Sequence, residues 1–343
     1  MKDTNEQLLR FHRQCVWMND AGRADILTKA KANRRRLRNG LERDGKPSPF
    51  GSRTQGSYAM RTMIQNDAGD FDIDDGAYFK KEALVGERGA PMSALAARQM
   101  VCNALQDRRF AEQPSVHHNC VRIYYGGGYH VDVPVYRRLR TENPFTGVPT
   151  YSYEIASSDW KASDALNVTK WFMDQNKAKC SDSSDNGDKG QFVRVVRLTK
   201  AFARSRSYWR GKIASGFALS RLVSDYFVET AKRDDIAFRD VLRAIHARLG
   251  YNDAVRHPKL DEDILPTGSA KTKFLRMKLG DKLPLLDMLD DAACTHEQAM
   301  EAWDDFFYTD WFSNQPDPED EKKLEQKTTG PTVIKSGGGQ GYA

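Results

Sequence analysis

No stretch of the chain approaches the ~18 uninterrupted apolar residues that a membrane span needs. The first residues, Met1-Lys2-Asp3-Thr4-Asn5-Glu6, lack the apolar core of a secretory leader. Both absences argue for a soluble, cytoplasmic protein with no membrane partner. Cysteine is scarce: Cys15, Cys102, Cys120, Cys180 and Cys294 are odd in number and scattered, with no Cys-x-x-Cys pair and no cysteine–histidine cluster at zinc spacing. That excludes a disulfide scaffold and a zinc module, and leaves reduced, mostly buried thiols. No sign of charge dominates either, since 53 Lys+Arg face 47 Asp+Glu for a net charge of +6. Such a balance suits polyphosphate anions but does not by itself make a nucleic-acid protein. No internal repeat is visible.

What is present is enough apolar residue, 39% of 343 positions, to build a core in more than one domain. Residues 6–45 carry Leu8, Leu9, Phe11, Cys15 and Val16, then Ile26, Leu27, Ala30, Leu37 and Leu41, at helical spacing, which reads as one long helix or two. Arg34, Arg35, Arg36 and Arg38 lie on it as a solvated face, with a nucleic-acid contact as the rival reading. Lys46-Pro47-Ser48-Pro49 ends the helix. Val121–Tyr125 and Tyr129–Val135 alternate around Gly126-Gly127-Gly128 and predict a hairpin, with Pro134 pointing to a strand end or edge and Asp132 near the sheet margin. Past about residue 155, helical spacing recurs over 163–179, 191–209, 215–232, 235–249 and 296–312. Residues 181–188 form a polar surface link, and apolar content collapses after residue 314. The expected division is 1–155, a catalytic lobe with its N-terminal helix; 156–313, a helical lobe that closes a cleft; and 314–343, a flexible tail.

The most informative stretch is Gly51-Ser52-Arg53-Thr54-Gln55-Gly56-Ser57 followed by Asp70-Phe71-Asp72-Ile73-Asp74-Asp75-Gly76. A glycine-serine turn able to hold a phosphate precedes a strand whose Asp72 and Asp74, two residues apart, share a face. Asp132, on a later strand, can join them. Three carboxylates suit magnesium, which takes few protein oxygens and leaves positions for water and substrate phosphates. Two such ions about 4 Å apart can activate an attacking hydroxyl and stabilise a pyrophosphate leaving group. Asp75 points to the other face and is expected at the strand end, ordering a turn. An EF-hand is excluded because position six from Asp70 is Asp75 and position twelve is Lys81. A Walker loop is excluded because Gly56 is followed by Ser57-Tyr58, with no lysine. An acidic turn without chemistry does not explain the glycine-serine turn upstream or the strand aspartate downstream. His117, His118 and His130 have no partner at ligand spacing and read as structural, as do most of the tryptophans.

In the order Gln55-Gly56-Ser57, Asp72-Ile73-Asp74-Asp75-Gly76 and His130-Val131-Asp132-Val133-Pro134, the chain resembles the bacterial cGAS/DncV-like nucleotidyltransferases of the polymerase-β-like superfamily. The resemblance implies an α+β fold, a two-lobe palm with a C-terminal helical domain. It also implies synthesis of a cyclic di- or trinucleotide from ATP, GTP or other nucleoside triphosphates, in anti-phage signalling. By the same resemblance Gly56 and Ser57 hold the donor triphosphate, with Gln55 and Tyr58 beside them, Tyr58 stacking on a base. Asp72, Asp74 and Asp132 are the catalytic metal ligands for Mg2+, or Mn2+ in its place, and Arg122 sits at the acceptor nucleotide. Lys200 and Ser215 have the spacing of the superfamily's phosphate-contacting pair; a general basic stripe with Arg194, Arg197 and Arg204 is the rival for Lys200. The resemblance further suggests a ubiquitin-transfer-like enzyme conjugating the chain through Ala343. Nucleic acid is not required. An enzyme extending RNA ends or linear oligonucleotides is the alternative activity, and a non-catalytic nucleotide sensor or scaffold the alternative class.

Overall fold

Leu8 and Phe11 bury one side of a short first helix, α1 (Asn5–Phe11), which runs on through a π turn at His12–Val16. The chain then restarts: the Asn19 side chain accepts the Gly22 amide and caps α2 (Asp20–Arg43), so the N-terminal run is two helices. These elements are seen in a computed structural model that describes residues 1–65, 72–86, 89–126, 128–184 and 189–316, with Asp72 described by its backbone alone. Asp70, the 185–188 part of the polar link and the tail from 317, including Ala343, lie outside the described residues. The described residues contain no helix long and apolar enough to cross a membrane.

Beyond α2 come β1 (Gly51–Gln55), the single turn α3 (Gly56–Ala59), β2 (Asp72–Lys80), α4 (Ala94–Leu105), β3 (Ser115–Val116), β4 (Val121–Tyr124), β5 (His130–Val133), β6 (Val135–Glu142), β7 (Pro149–Ala156) and β8 (Trp160–Ala162). The strands make one mixed sheet of eight. β2 lies parallel to β5 and then β6, with Asp72 opposite His130, Asp74 opposite Asp132 and Ala77 opposite Val135. On the other side β4 runs antiparallel to β5 and β7 antiparallel to β6.

Two expectations are corrected here. Pro134 lies at a strand end, directly after β5, but not at a sheet edge: the neighbour changes there from β4 to β7, and Asp132, with β2 on one side and β4 on the other, is interior rather than near the sheet margin. There its missing N–H costs no ladder bond, and its carbonyl still accepts the Ala77 amide at 2.9 Å. Asp75 is not at a strand end, because β2 continues to Lys80. It is 2% exposed on the core side of the sheet, where Arg34 grips it with Nε at 2.8 Å and Nη2 at 2.5 Å. The arginine cluster is therefore not simply a solvated face, since Arg36 likewise reaches Asp107 at 2.7 Å.

Alternation sorts the sheet. Ile73, Ala77, Val121, Ile123, Val131 and Val133 pack with Ile26, Leu37, Ala97 and Val101 of α2 and α4, while Asp74 and Asp132 face away from that core. The helices α5 (Ala165–Lys179), α6 (Gln191–Arg204), α7 (Gly216–Tyr226) and α8 (Asp234–Tyr251) follow; then the pair β9 (Val255–Arg256) and β10 (Asp263–Leu265), and α9 (Ala270–Lys282). All these elements, α1 to α9, belong to one compact unit, Asp3–Pro284, and the fold is α+β.

A second unit comprises Met1–Lys2 and Leu285–Ala343. Its helix α10 (His296–Phe307) starts with a capping box, in which Thr295 and Gln298 satisfy each other's free amides. It ends where the Asp304 carboxylate accepts the Phe312 and Ser313 amides, each at 2.8 Å, folding the chain back so that Trp303 stacks on Phe307 and Phe312.

Candidate active site

Four adjacent strands carry the polar face in register: Gln55 of β1 lies opposite Asp74 of β2, Asp74 opposite Asp132 of β5, and Asp132 opposite Arg122 of β4. Gly56 follows directly with φ +62°, a left-handed conformation, and a Cβ there would collide with Asp74 Oδ2. Only glycine lets the backbone turn this way and approach the carboxylate so closely. Ser57 and Asp74 both line a cavity of about 590 Å3. Gln55 lines it too, but its amide is already engaged: Nε2 donates to the Tyr136 hydroxyl at 2.7 Å and Oε1 accepts from Tyr78 at 3.0 Å. Its role in this arrangement is to hold the turn. Tyr58 is not brought to the cavity; its ring lies 4.3 Å from the Arg23 guanidinium and its hydroxyl donates to the Arg23 carbonyl.

Asp132, 8% exposed, receives both Nε and Nη2 of Arg122 at 2.8 Å, a bidentate pair across neighbouring strands. Arg122 is thus held against the Asp132 carboxylate and is not among the residues lining the cavity. Beside them, burial and the nearby Asp132 push the Cys120 thiol well above its ordinary range, so it stays protonated.

The opposite wall comes from the helices. Lys200 of α6 and Ser215, the N-cap of α7, both line the cavity. Lys200 is 5% exposed, and its ammonium donates to Thr62 Oγ1 at 2.6 Å and to the Thr62 carbonyl at 3.2 Å. Burial, with the charges of Arg204 and Arg197, pulls its pKa down to about 7. The stripe divides: Arg194 pairs with Asp234 and Arg197 donates to the Arg61 carbonyl, while Arg204 lines the cavity with Lys200. Residues given no site role in the sequence also line the cavity, among them Thr62, Asn119, Cys120, Asp164 and His257. Of these only Asp164, an N-cap that accepts the Asn167 amide, had a sequence signal, an aspartate just before a helical run.

Asp74 and Asp132 offer hard oxygen donors side by side on a cavity wall, which suits a divalent cation such as magnesium. The side chain of Asp72 lies outside the described residues, but its backbone places it two residues along β2 from Asp74, opposite His130.

Residues 51–136 match the family described as cyclic GMP-AMP synthase DncV-like, nucleotidyltransferase domain. The chain carries a DncV-like nucleotidyltransferase domain. That span holds the glycine-serine turn, the strand aspartates and Arg122, and stops before Lys200. Solved structures agree over nearly the whole chain. The CD-NTase CdnG of Bradyrhizobium diazoefficiens, solved with GTP, matches at 15% identity and a TM-score of 0.69, covering 94% of this chain and 99% of that one. DncV of Escherichia coli, in its 3'-deoxy GTP bound form, matches at 17% identity and a TM-score of 0.63 over 89% and 96% of the two chains. Vibrio cholerae DncV, a cyclic AMP-GMP synthase solved with the linear intermediate pppA(3',5')pG, matches at 16% identity and a TM-score of 0.62 over 85% and 91%. At these identities the likeness is one of fold: the polymerase-β-like palm with a helical C-terminal region. The nucleotidyltransferase domain makes the chain a nucleotidyltransferase.

Proposed function

We propose that this nucleotidyltransferase joins nucleoside triphosphates, ATP and GTP among them, into a cyclic di- or trinucleotide, and that the product serves anti-phage signalling. The observation that carries the reading is the pairing of Asp74 with Asp132 on the wall of a cavity that Lys200 and Ser215 also line. Relatives of the same fold are solved with GTP and with a linear dinucleotide intermediate. The Ser57 turn and the Lys200 ammonium bind and orient the donor triphosphate, an anion for which a buried lysine held by the neutral Thr62 hydroxyl and carbonyl is well suited. The Asp132 carboxylate accepts the hydrogen bond of the acceptor hydroxyl and aims it at the α-phosphorus, from which pyrophosphate departs. Asp72, Asp74 and Asp132 would hold magnesium or manganese, which supplies positive charge to the phosphates when bound. A second transfer in the same cavity closes the ring. We keep residues 1–155 as palm, 156–313 as the closing helical lobe and 314–343 as a tail.

The test incubates the protein with Mg2+ and each combination of labelled triphosphates, then weighs the product and digests it with a 3'–5'-specific nuclease. A cyclic product is expected; linear oligonucleotides alone would transfer the chain to the end-extending class, and no product at all would leave a nucleotide-binding scaffold.

A further inference from the structure

Beyond Asp132 the register continues one strand further than the reaction has used, since Ser115 of β3 lies opposite Arg122 of β4. By alternation His117 and Tyr124 share this face, while Val121 and Ile123 enter the core on the other. The three side chains converge: the Tyr124 hydroxyl is 2.9 Å from His117 Nε2 and 3.1 Å from Ser115 Oγ, which is itself 3.2 Å from His117 Nε2. All three are half-buried. Nothing in the core requires a polar ring here, and the backbone beneath it is fixed, because Arg98 of α4 donates to the carbonyls of His117 and His118. None of the three lines the donor cavity.

The order across the sheet is what gives this cluster a role. The phosphate turn stands at the end of β1, Asp74 on β2, Asp132 on β5, Arg122 on β4 and Ser115 on β3. A donor held by Ser57 and Lys200 lies at the first end of that row, so a nucleotide whose hydroxyl meets Asp132 from the far side must extend over β4 and β3. Strands are about 4.8 Å apart, which places Ser115 about 10 Å beyond Asp132, within the span of one nucleotide. Each hydroxyl donates once and accepts twice, so the ring keeps acceptor capacity after its internal bonds are made. Being built of hydroxyls and an imidazole rather than of fixed cations, it matches the N–H edge of a nucleobase better than a phosphate.

Resting on the synthesis reading above, we propose that Ser115, His117 and Tyr124 form the subsite that receives and selects the base of the acceptor nucleotide. The test uses the full-length protein and two probes, each in all four bases. A 2',3'-dideoxynucleoside triphosphate has no ribose hydroxyl with which to attack and serves only as donor; an α,β-methylene triphosphate cannot release pyrophosphate and serves only as acceptor. Tyr124→Phe and His117→Gln are each expected to raise the acceptor KM about fivefold, the worth of a neutral hydrogen bond, and to reorder the preferred acceptor bases while the donor KM stays put. An unchanged acceptor KM and base order, or an equal rise in the donor KM, would overturn the subsite. Calorimetry with the methylene analogue separates this inference from the reading beneath it. Wild-type protein that joins no pair of probes sinks the synthesis reading. Whatever the turnover, weakened binding of the analogue by the variants supports the subsite and unweakened binding refutes it.

Discussion

Lys200 is a buried base whose two hydrogen-bond partners, the hydroxyl and carbonyl of Thr62, are both neutral. Its pKa near 7 has a direct consequence for binding. A triphosphate favours the ammonium, so binding draws a proton onto Lys200, and affinity should fall as pH rises above about 7. Calorimetry in buffers of different ionisation enthalpy should record proton uptake in the wild type and none at this site in Lys200→Ala; a pH-independent affinity would return Lys200 to a structural role. For folding the sign is the opposite. The unfolded lysine keeps its proton up to its ordinary value while the folded one sheds it, so between those limits stability rises with pH. The carboxylates have a simpler prediction. Asp72→Asn with Asp74→Asn should abolish product and leave the fold intact, since Asp74 faces the cavity and removing like charge relieves repulsion. A folded double mutant with full turnover would refute the assignment, as would turnover in excess chelator. Asp74, Asp132 and Gly56 were legible because a period of two and an obligatory glycine are written in local sequence. Thr62 and His257 were not, because only the fold brings them to the same cavity.

The element whose role sequence misread is α2. Its apolar stripe was plain, but whether an arginine on a helix meets water or a carboxylate depends on which strand it packs against, and that is not local information. Arg34 is 27% exposed at its side chain and Asp75 2%, so the pair fastens α2 to β2 on the side opposite Asp74. Burial raises the Asp75 pKa and Arg34 opposes that rise. Arg34→Ala leaves a buried charge without a partner, a loss of about 3–5 kcal/mol by comparable truncations. With the guanidinium gone the folded state takes up a proton on Asp75 more readily than the unfolded chain does. The deficit should therefore shrink as pH falls toward the ordinary carboxylate range. Urea titrations at two pH values check this, and a deficit independent of pH would mean that Asp75 is not the group left stranded. Pro134 does sit at a strand end, but the sheet margin expected beside it does not exist for a related reason: a proline inside a sheet is tolerated where two neighbouring strands meet end to end, and such a junction exists only in three dimensions.

At the scale of the whole molecule, the hairpin and the helical character after residue 155 followed from periodicity, and the α+β class from the family resemblance. The β6–β7 pairing and the helices α4 and α9 did not, being mixed in polarity along their length. The cavity draws its lining from Gln55 to His257, gathering β1, β2, β5, α6 and α7 around one space within a single compact unit. Among the described residues no lining residue comes from beyond His257, and neither the carboxylate row nor the Ser115–His117–Tyr124 ring does. A chain ended after Pro316 therefore keeps every side chain to which a role in nucleotide transfer has been given. Its kcat and both nucleotide KM values should stay within about twofold of the full-length protein, a change worth less than ~0.5 kcal/mol. Kinetics with the two obligate probes measure each value separately. A truncated protein that folds, by circular dichroism, yet loses synthesis would show that residues 317–343 take part in the catalytic unit, and that the cavity formed by residues 55–257 is not the whole of the site.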